Sequence, residues 1–227
     1  MRRDRYYTLM AALPALEPVG AEERPPCSRV RLEKLLEMLE PEDAQQLEAL
    51  EGLMFFDRLP FDLTDLEIVG EAARVLETIR SPLLREVAEW RLSVRTVVAA
   101  LRRRHAGAPA PERGETWGFG HWTRAIERSW GRRDLGLGGA LPWIEEFAGL
   151  VEREDAVELE KRLLLLVWRY LSRKAEGHYF DFEAVALYVL RWDLLRRWTS
   201  QDPVAAGGRF DELMEASWGR FAGELQV

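Results

Sequence analysis

A helix that carries no charge on any side has to be enclosed, and this chain contains one. The stretch runs from Ala184 to Leu190 inside HYFDFEAVALYVLRWDLLRRW (His178 to Trp198). Neither Gly nor Pro interrupts it, and Tyr188 brings the only polar group. Wound as a helix it is apolar all round, which fits a rod surrounded by neighbours and not one resting on a surface. Its ends are polar in the order the helix dipole favours, with Asp181 and Glu183 early and Arg196 and Arg197 late. The expectation is an all-α fold: an elongated helical bundle of about seven to nine helices, with this segment at its centre.

The remaining chain supports that class. Ser28 can cap a helix to about Leu39, with Leu32, Leu35, Leu36 and Leu39 on one face. Pro41 suits the first turn of the next, to about Phe55. Asp62 or Thr64 can open another, to about Ile79. Ser81-Pro82 is a clear start for a long helix to about Arg104, striped by Leu83, Val87, Trp90, Val94, Val97, Val98 and Leu101. AGAPAPERGE (Ala106 to Glu115) reads as a linker. A Gly- and Trp-rich irregular stretch follows, to about Pro142, with one short helix near Trp122 to Trp130. Helices are then expected at Trp143 to Val151, Asp155 to Lys174, Phe180 to Thr199 and Arg209 to Leu225. Tyr6 to Leu13 is too short for periodicity to choose between strand and helix. No β-branched alternation marks a sheet. The organisation expected is an N-terminal helical region (1–106), a linker and irregular segment (107–142) and a C-terminal helical region (143–227), with one continuous domain as the alternative.

Composition narrows the function classes. A net charge of −7 argues against a general nucleic-acid binder, which needs a positive field to meet phosphate. The longest wholly apolar run, Leu163 to Trp168, is far below the ~20 residues that span a bilayer. The opening MRRDRYYTLMAALPAL faintly imitates a signal peptide, but Asp4, Thr8 and Pro14 interrupt it, and it reads as a mature N-terminus. Cys27 is the only cysteine, so no intrachain disulfide can form, which fits a reducing cytoplasm. Of 32 basic residues only Lys34, Lys161 and Lys174 are lysine. That bias reflects either a GC-rich genome or arginine-based ion-pair networks.

No catalytic constellation stands out. His105 ends a helix after Arg102, Arg103 and Arg104; His121 lies in WGFGHW with no neighbouring carboxylate or cysteine. His178 lies near Glu176, Asp181 and Glu183, a grouping that could hold a metal. The helical spacings of metal sites are absent, however, and capping with dipole compensation explains the acids. Cys27 shows no adjacent base. Leu135 to Gly139 (LGLGG) superficially resembles a phosphate cradle but lacks the strand and the lysine of a P-loop, so a mobile turn is expected. The sequence therefore gives no catalytic residue, no cofactor and no metal. The crowding of Trp117, Phe119, Trp122 and Trp130 among glycines and arginines suggests a protein-binding anchor, because Trp and Arg dominate interface energies. The candidate interface is Trp117, Phe119, His121, Trp122, Arg102 and Arg103.

Three segments carry a resemblance. YYTLMAALPAL followed by Pro25-Pro26-Cys27-Ser28, the junction Leu39-Glu40-Pro41-Glu42-Asp43, and HYFDFEAVALYVLRW with LLRRW resemble a bacterial family of uncharacterised proteins encoded beside V/A-type ATPase subunits. The resemblance implies a non-catalytic subunit of a rotary ATPase. Its expected place is that of the central-stalk C subunit, an all-helical adaptor between the soluble motor and the membrane ring. It would support ion (proton) transport while other subunits hydrolyse or make ATP. Its partners would be ATPase subunits, with no nucleic acid and no membrane insertion. Its location would be cytoplasmic, reaching the inner face of the cell membrane through those partners. Two alternatives stay open: a helical protein-interaction scaffold unrelated to the ATPase, and a helical enzyme whose site gathers His178, Asp181 and Arg191.

Overall fold

The computed structural model describes residues 5–21, 24–55, 65–112 and 114–200. Among these residues it is all-helical, with no strand. In chain order the helices are α1 (Tyr7–Ala12), α2 (Arg29–Leu36), α3 (Pro41–Met54), α4 (Asp65–Thr78), α5 (Pro82–His105), α6 (Thr123–Arg128), α7 (Ile144–Glu152), α8 (Ala156–Ala175) and α9 (Phe182–Ser200). The expected helix at Arg209 to Leu225, and the start sought at Asp62 or Thr64, lie outside the described residues.

Local signals explain most boundaries. The Ser28, Ser81 and Asp155 side chains accept hydrogen bonds from the amides of Arg31, Leu84 and Glu158, capping α2, α5 and α8. Pro41 and Pro82 occupy the first turns of α3 and α5, where a missing amide hydrogen costs nothing. Tyr6 to Leu13 resolves as the short helix α1, whose Leu9 is buried.

α9 is the enclosed rod. Every residue from Phe182 to Leu190 is buried, as are Trp192 to Leu195. α8 packs along most of its length, and α3, α1 and α5 close the other sides. Burying each Leu or Val side chain in such a rod contributes about 1.5–3 kcal/mol. Two polar groups on the rod find backbone partners: Tyr188 donates to the Pro14 carbonyl at 2.8 Å, and the Trp192 indole donates to the Cys27 carbonyl at 3.1 Å. Both bonds strap the irregular segment between α1 and α2 onto the rod.

The middle segment is part of the same core. Trp117, Ile126, Leu135 and Leu137 are buried within one apolar cluster that also holds residues of α1, α5 and α9. Gly118 and Gly120 make the close approach possible, since a Cβ at either would overlap Thr96 or Ser93 of α5. The Phe119 amide then donates to Thr96 Oγ1 at 2.8 Å. The Leu135–Gly139 turn, expected to be mobile, is held from below. The Asp134 carboxylate accepts from the amides of Gly136 (3.0 Å) and Gly138 (3.2 Å) and pairs with Arg132. It is a structural turn: the amides of Leu135, Gly136, Leu137 and Gly138 all bond to Arg132 or Asp134 of the same turn, so none of these four is offered to a phosphate. Arginine ion pairs close the seam. Arg133 meets both Glu145 and Glu152 at 2.9 Å, and Arg104 meets Glu152 at 3.2 Å.

Candidate functional site

The starts of α3, α5 and α9 converge beside the start of α1. They form a polar crater of about 580 Å3 lined by Arg5, Tyr6, Glu40, Glu42, Asp43, Gln46, Arg80, Ser81, Asp181, Phe182 and Glu183. Converging positive helix ends favour carboxylates at this place. One wall is built from α1 and α3. The Tyr6 amide donates to the Phe180 carbonyl at 2.8 Å, its hydroxyl donates to Asp43, and the Glu40 amide donates back to that hydroxyl at 3.3 Å. Burial and the bond to Asp43 push the Tyr6 phenol up to about 12. Arg5 pairs with Glu40 (3.2 Å) and Asp43 (3.5 Å), and Arg80 pairs with Glu42.

The opposite wall is the start of α9. Gly177, at φ +87, turns the chain out of α8, and His178 follows ahead of the helix. The His178 Nδ1 atom lies 2.7 Å from Asp181 Oδ2, while Asp181 Oδ1 accepts from the Ala184 amide at 2.9 Å, capping α9. Glu183 is buried and accepts from the Ser81 hydroxyl at 2.8 Å. Ser81 thus serves two helices, capping α5 through Leu84 and holding an acid of α9. One donor atom each from His178, Asp181 and Glu183 falls within 4.8 Å of the others. Sequence spacing disfavoured a metal here because His178 precedes α9 and does not ride on it. Arg191, considered beside this group for an enzymatic site, does not join it: its guanidinium lies over the Trp168 ring, 5.9 Å from the centroid.

The six residues proposed as an interface are divided by the fold. Trp117 is buried and donates to Glu127 at 3.0 Å, so it supports the surface from beneath and cannot anchor a partner. Phe119 and Trp122 are half-buried against the core. His121 is exposed, its ring 4.1 Å from that of Trp122. Arg102 is exposed and Arg103 half-buried, both on the rim of a second groove with Arg91 and Glu160 above an apolar floor of α8 and α9. Burial lowers the Arg91 guanidinium to about 10, opposed by Glu160 and reinforced by Arg95 and Arg197.

One charged cluster has no counterpart among the expected residues. Arg29 of α2 meets Glu51 of α3 at 2.9 Å and Asp193 of α9 at 3.6 Å, and Arg196 meets Asp193 at 3.3 Å. Burial, then the contact with Glu51, raises Asp193 to about 6. Burial disfavours the Arg29 charge, but the bonds to Glu51 and Glu33 outweigh it and raise its pKa. Nothing in the local sequence marks Asp193, which sits beside two arginines like any solvated helix face.

Among the described residues no helix is long and apolar enough to cross a membrane. Comparison with curated proteins finds no match, and comparison with solved structures finds none. A family model does match, over residues 77–216, so the enclosed rod α9 and the Ser81–Glu183 contact both lie within a recognised unit. The chain belongs to the family described as a protein of unknown function, DUF2764.

Proposed function

We propose that this chain is a non-catalytic, all-helical subunit of a V/A-type rotary ATPase, an adaptor of the central stalk between the soluble motor and the membrane ring. The observation that carries the reading is the role of the resembling residues. Phe180-Asp181-Phe182 opens α9, Asp181 caps it, and the apolar run to Leu190 is enclosed on all sides. The segments that resemble the ATPase-associated family are thus structural ones, as an element that transmits torque requires. A rod packed at core density resists bending because displacing any of its side chains opens a void. ATP hydrolysis, in this reading, belongs to other subunits. Contact with a partner falls on the exposed or half-exposed residues Arg102, Arg103, Phe119, His121 and Trp122 at the end of α5 and in the middle segment.

The test is retention. Affinity-tagged chain recovered from native membranes of its own cell is expected to carry ATPase subunits in fixed ratio. The double substitution Arg102→Ala with His121→Ala should reduce that retention while leaving the melting temperature unchanged. A tagged chain that never retains an ATPase subunit would sink the reading and leave the generic scaffold in its place.

A further inference from the structure

We propose that His178, Asp181 and Glu183 form a binding site for one divalent first-row transition-metal ion of the zinc or manganese class. Three observations meet here. The donors comprise one imidazole nitrogen and two carboxylates within 4.8 Å of one another. Metal–ligand bonds of ~2.0–2.2 Å would draw the three donors closer together and open the 2.7 Å contact of His178 with Asp181 onto the ion. An imidazole among oxygens selects a borderline ion over the hard, all-oxygen sites of calcium and magnesium.

The second observation is independent of the grouping. Glu183 is only 3% exposed, and its Oε2 atom is buried without a hydrogen-bond partner among the described residues. Capping accounts for Asp181, whose Oδ1 takes the Ala184 amide; it does not account for Glu183. The converging helix starts, each worth about half a positive charge, favour carboxylates here, but none of them gives Glu183 Oε2 a hydrogen-bond donor. The nearby guanidiniums are committed elsewhere, Arg5 to Glu40 and Asp43 and Arg80 to Glu42. A buried carboxylate oxygen with no donor marks a place for an ion or a bound water.

The third is support around the donors. Ser81 holds Glu183 through Oε1 and leaves Oε2 without a partner, while the carboxylate stays within 4.8 Å of the other two donors, the way outer groups orient a metal ligand. The crater lined by Asp181 and Glu183 leaves room for water to complete the coordination. A bound ion ties the α8–α9 turn to the start of α5, independently of any ATPase partner.

Co2+ serves as the probe on tag-free, full-length chain stripped with a chelator. Saturable uptake of a single equivalent is expected, with visible d–d absorption that Zn2+ displaces, and Zn2+ should raise the melting temperature. His178→Ala should abolish the absorption. Glu183→Gln should weaken binding by about tenfold or more. His121→Ala should change neither. If Glu183→Gln does not fold, His178→Ala decides, because that side chain is part-exposed and outside the helix. Absence of saturable uptake, as expected if water alone occupies the place, would overturn the proposal. So would uptake that survives His178→Ala or disappears with His121→Ala.

Discussion

α9 carries two buried acids, Glu183 in its first turn and Asp193 toward its far end, each 3% exposed, and the bundle treats them in opposite ways. Asp193 lies among charges: Arg29 and Arg196 on one side, Glu51 on the other. Its environment still prefers the neutral acid, because burial and a second carboxylate outweigh two arginines that are themselves part-exposed. Glu183 has a serine, a helix start and an open crater. Asp193 meets charged partners from α2, α3 and α9, two of them cationic. Glu183 keeps one oxygen unclaimed. A structural ion pair and a ligand-ready carboxylate are thus told apart not by burial but by what fills the remaining lone pairs.

The largest way to break this contrast is Arg29→Ala. It leaves Glu51 and Asp193 facing each other without their shared cation, and removing one member of a buried pair typically costs about 3 kcal/mol or more. Urea unfolding near pH 7.5 should show that loss, and adding Asp193→Asn should recover much of it. A double variant no better than Arg29→Ala would mean that the arginine acts through its packing against Trp192, whose ring it overlies at 6.0 Å, and not through charge.

A pH series sharpens the same end. Asp193 rises from 3.8 to about 6 on folding, so between those values the folded chain holds a proton that the unfolded chain has released. Its contribution therefore becomes more favourable as pH falls from about 6 toward 4, by about 2 kcal/mol in all. Above pH 6 the full penalty of the buried charge is present. Asp134 and Glu152 have lowered pKa values and act oppositely, losing their contribution as pH falls below their unfolded values, so the parent must be compared with a variant. Asp193→Asn should remove the Asp193 part of the slope between pH 4.5 and 6.5. An unchanged slope would locate the proton elsewhere.

The same contrast explains what could be read from the chain. Helix starts such as Ser81-Pro82 and Asp155 were legible because capping and proline chemistry are local. α9 was legible because a wholly apolar surface admits only enclosure. The middle was not. Trp117, Leu135 and Leu137 are core residues, yet glycines and arginines around them erase any period, and their burial depends on Gly118 and Gly120 meeting α5. The Arg29–Glu51–Asp193 cluster joins α2, α3 and α9, so no window of sequence contains it. His178, Asp181 and Glu183 were visible as neighbours, but the residue that sets Glu183's orientation, Ser81, lies 102 positions away.

That serine gives the smallest and most discriminating prediction. Ser81→Ala removes the cap of α5 and the donor to Glu183 Oε1 together. Losing a serine cap typically costs about 1 kcal/mol, and leaving a buried oxygen unpaired costs a comparable amount. Ser81→Gly keeps much of the capping geometry at a cost of a few tenths, yet has no hydroxyl for the acid. If Ser81 is only a cap, the glycine variant should melt close to the parent. If Glu183 depends on it, both variants should lose stability, and Glu183→Gln in the Ser81→Ala background should add little further loss, since the pair is already broken. Thermal unfolding of the parent, Ser81→Ala, Glu183→Gln and the double variant forms a double-mutant cycle, and its coupling term measures how far the start of α9 is held by α5 and how far by its own dipole.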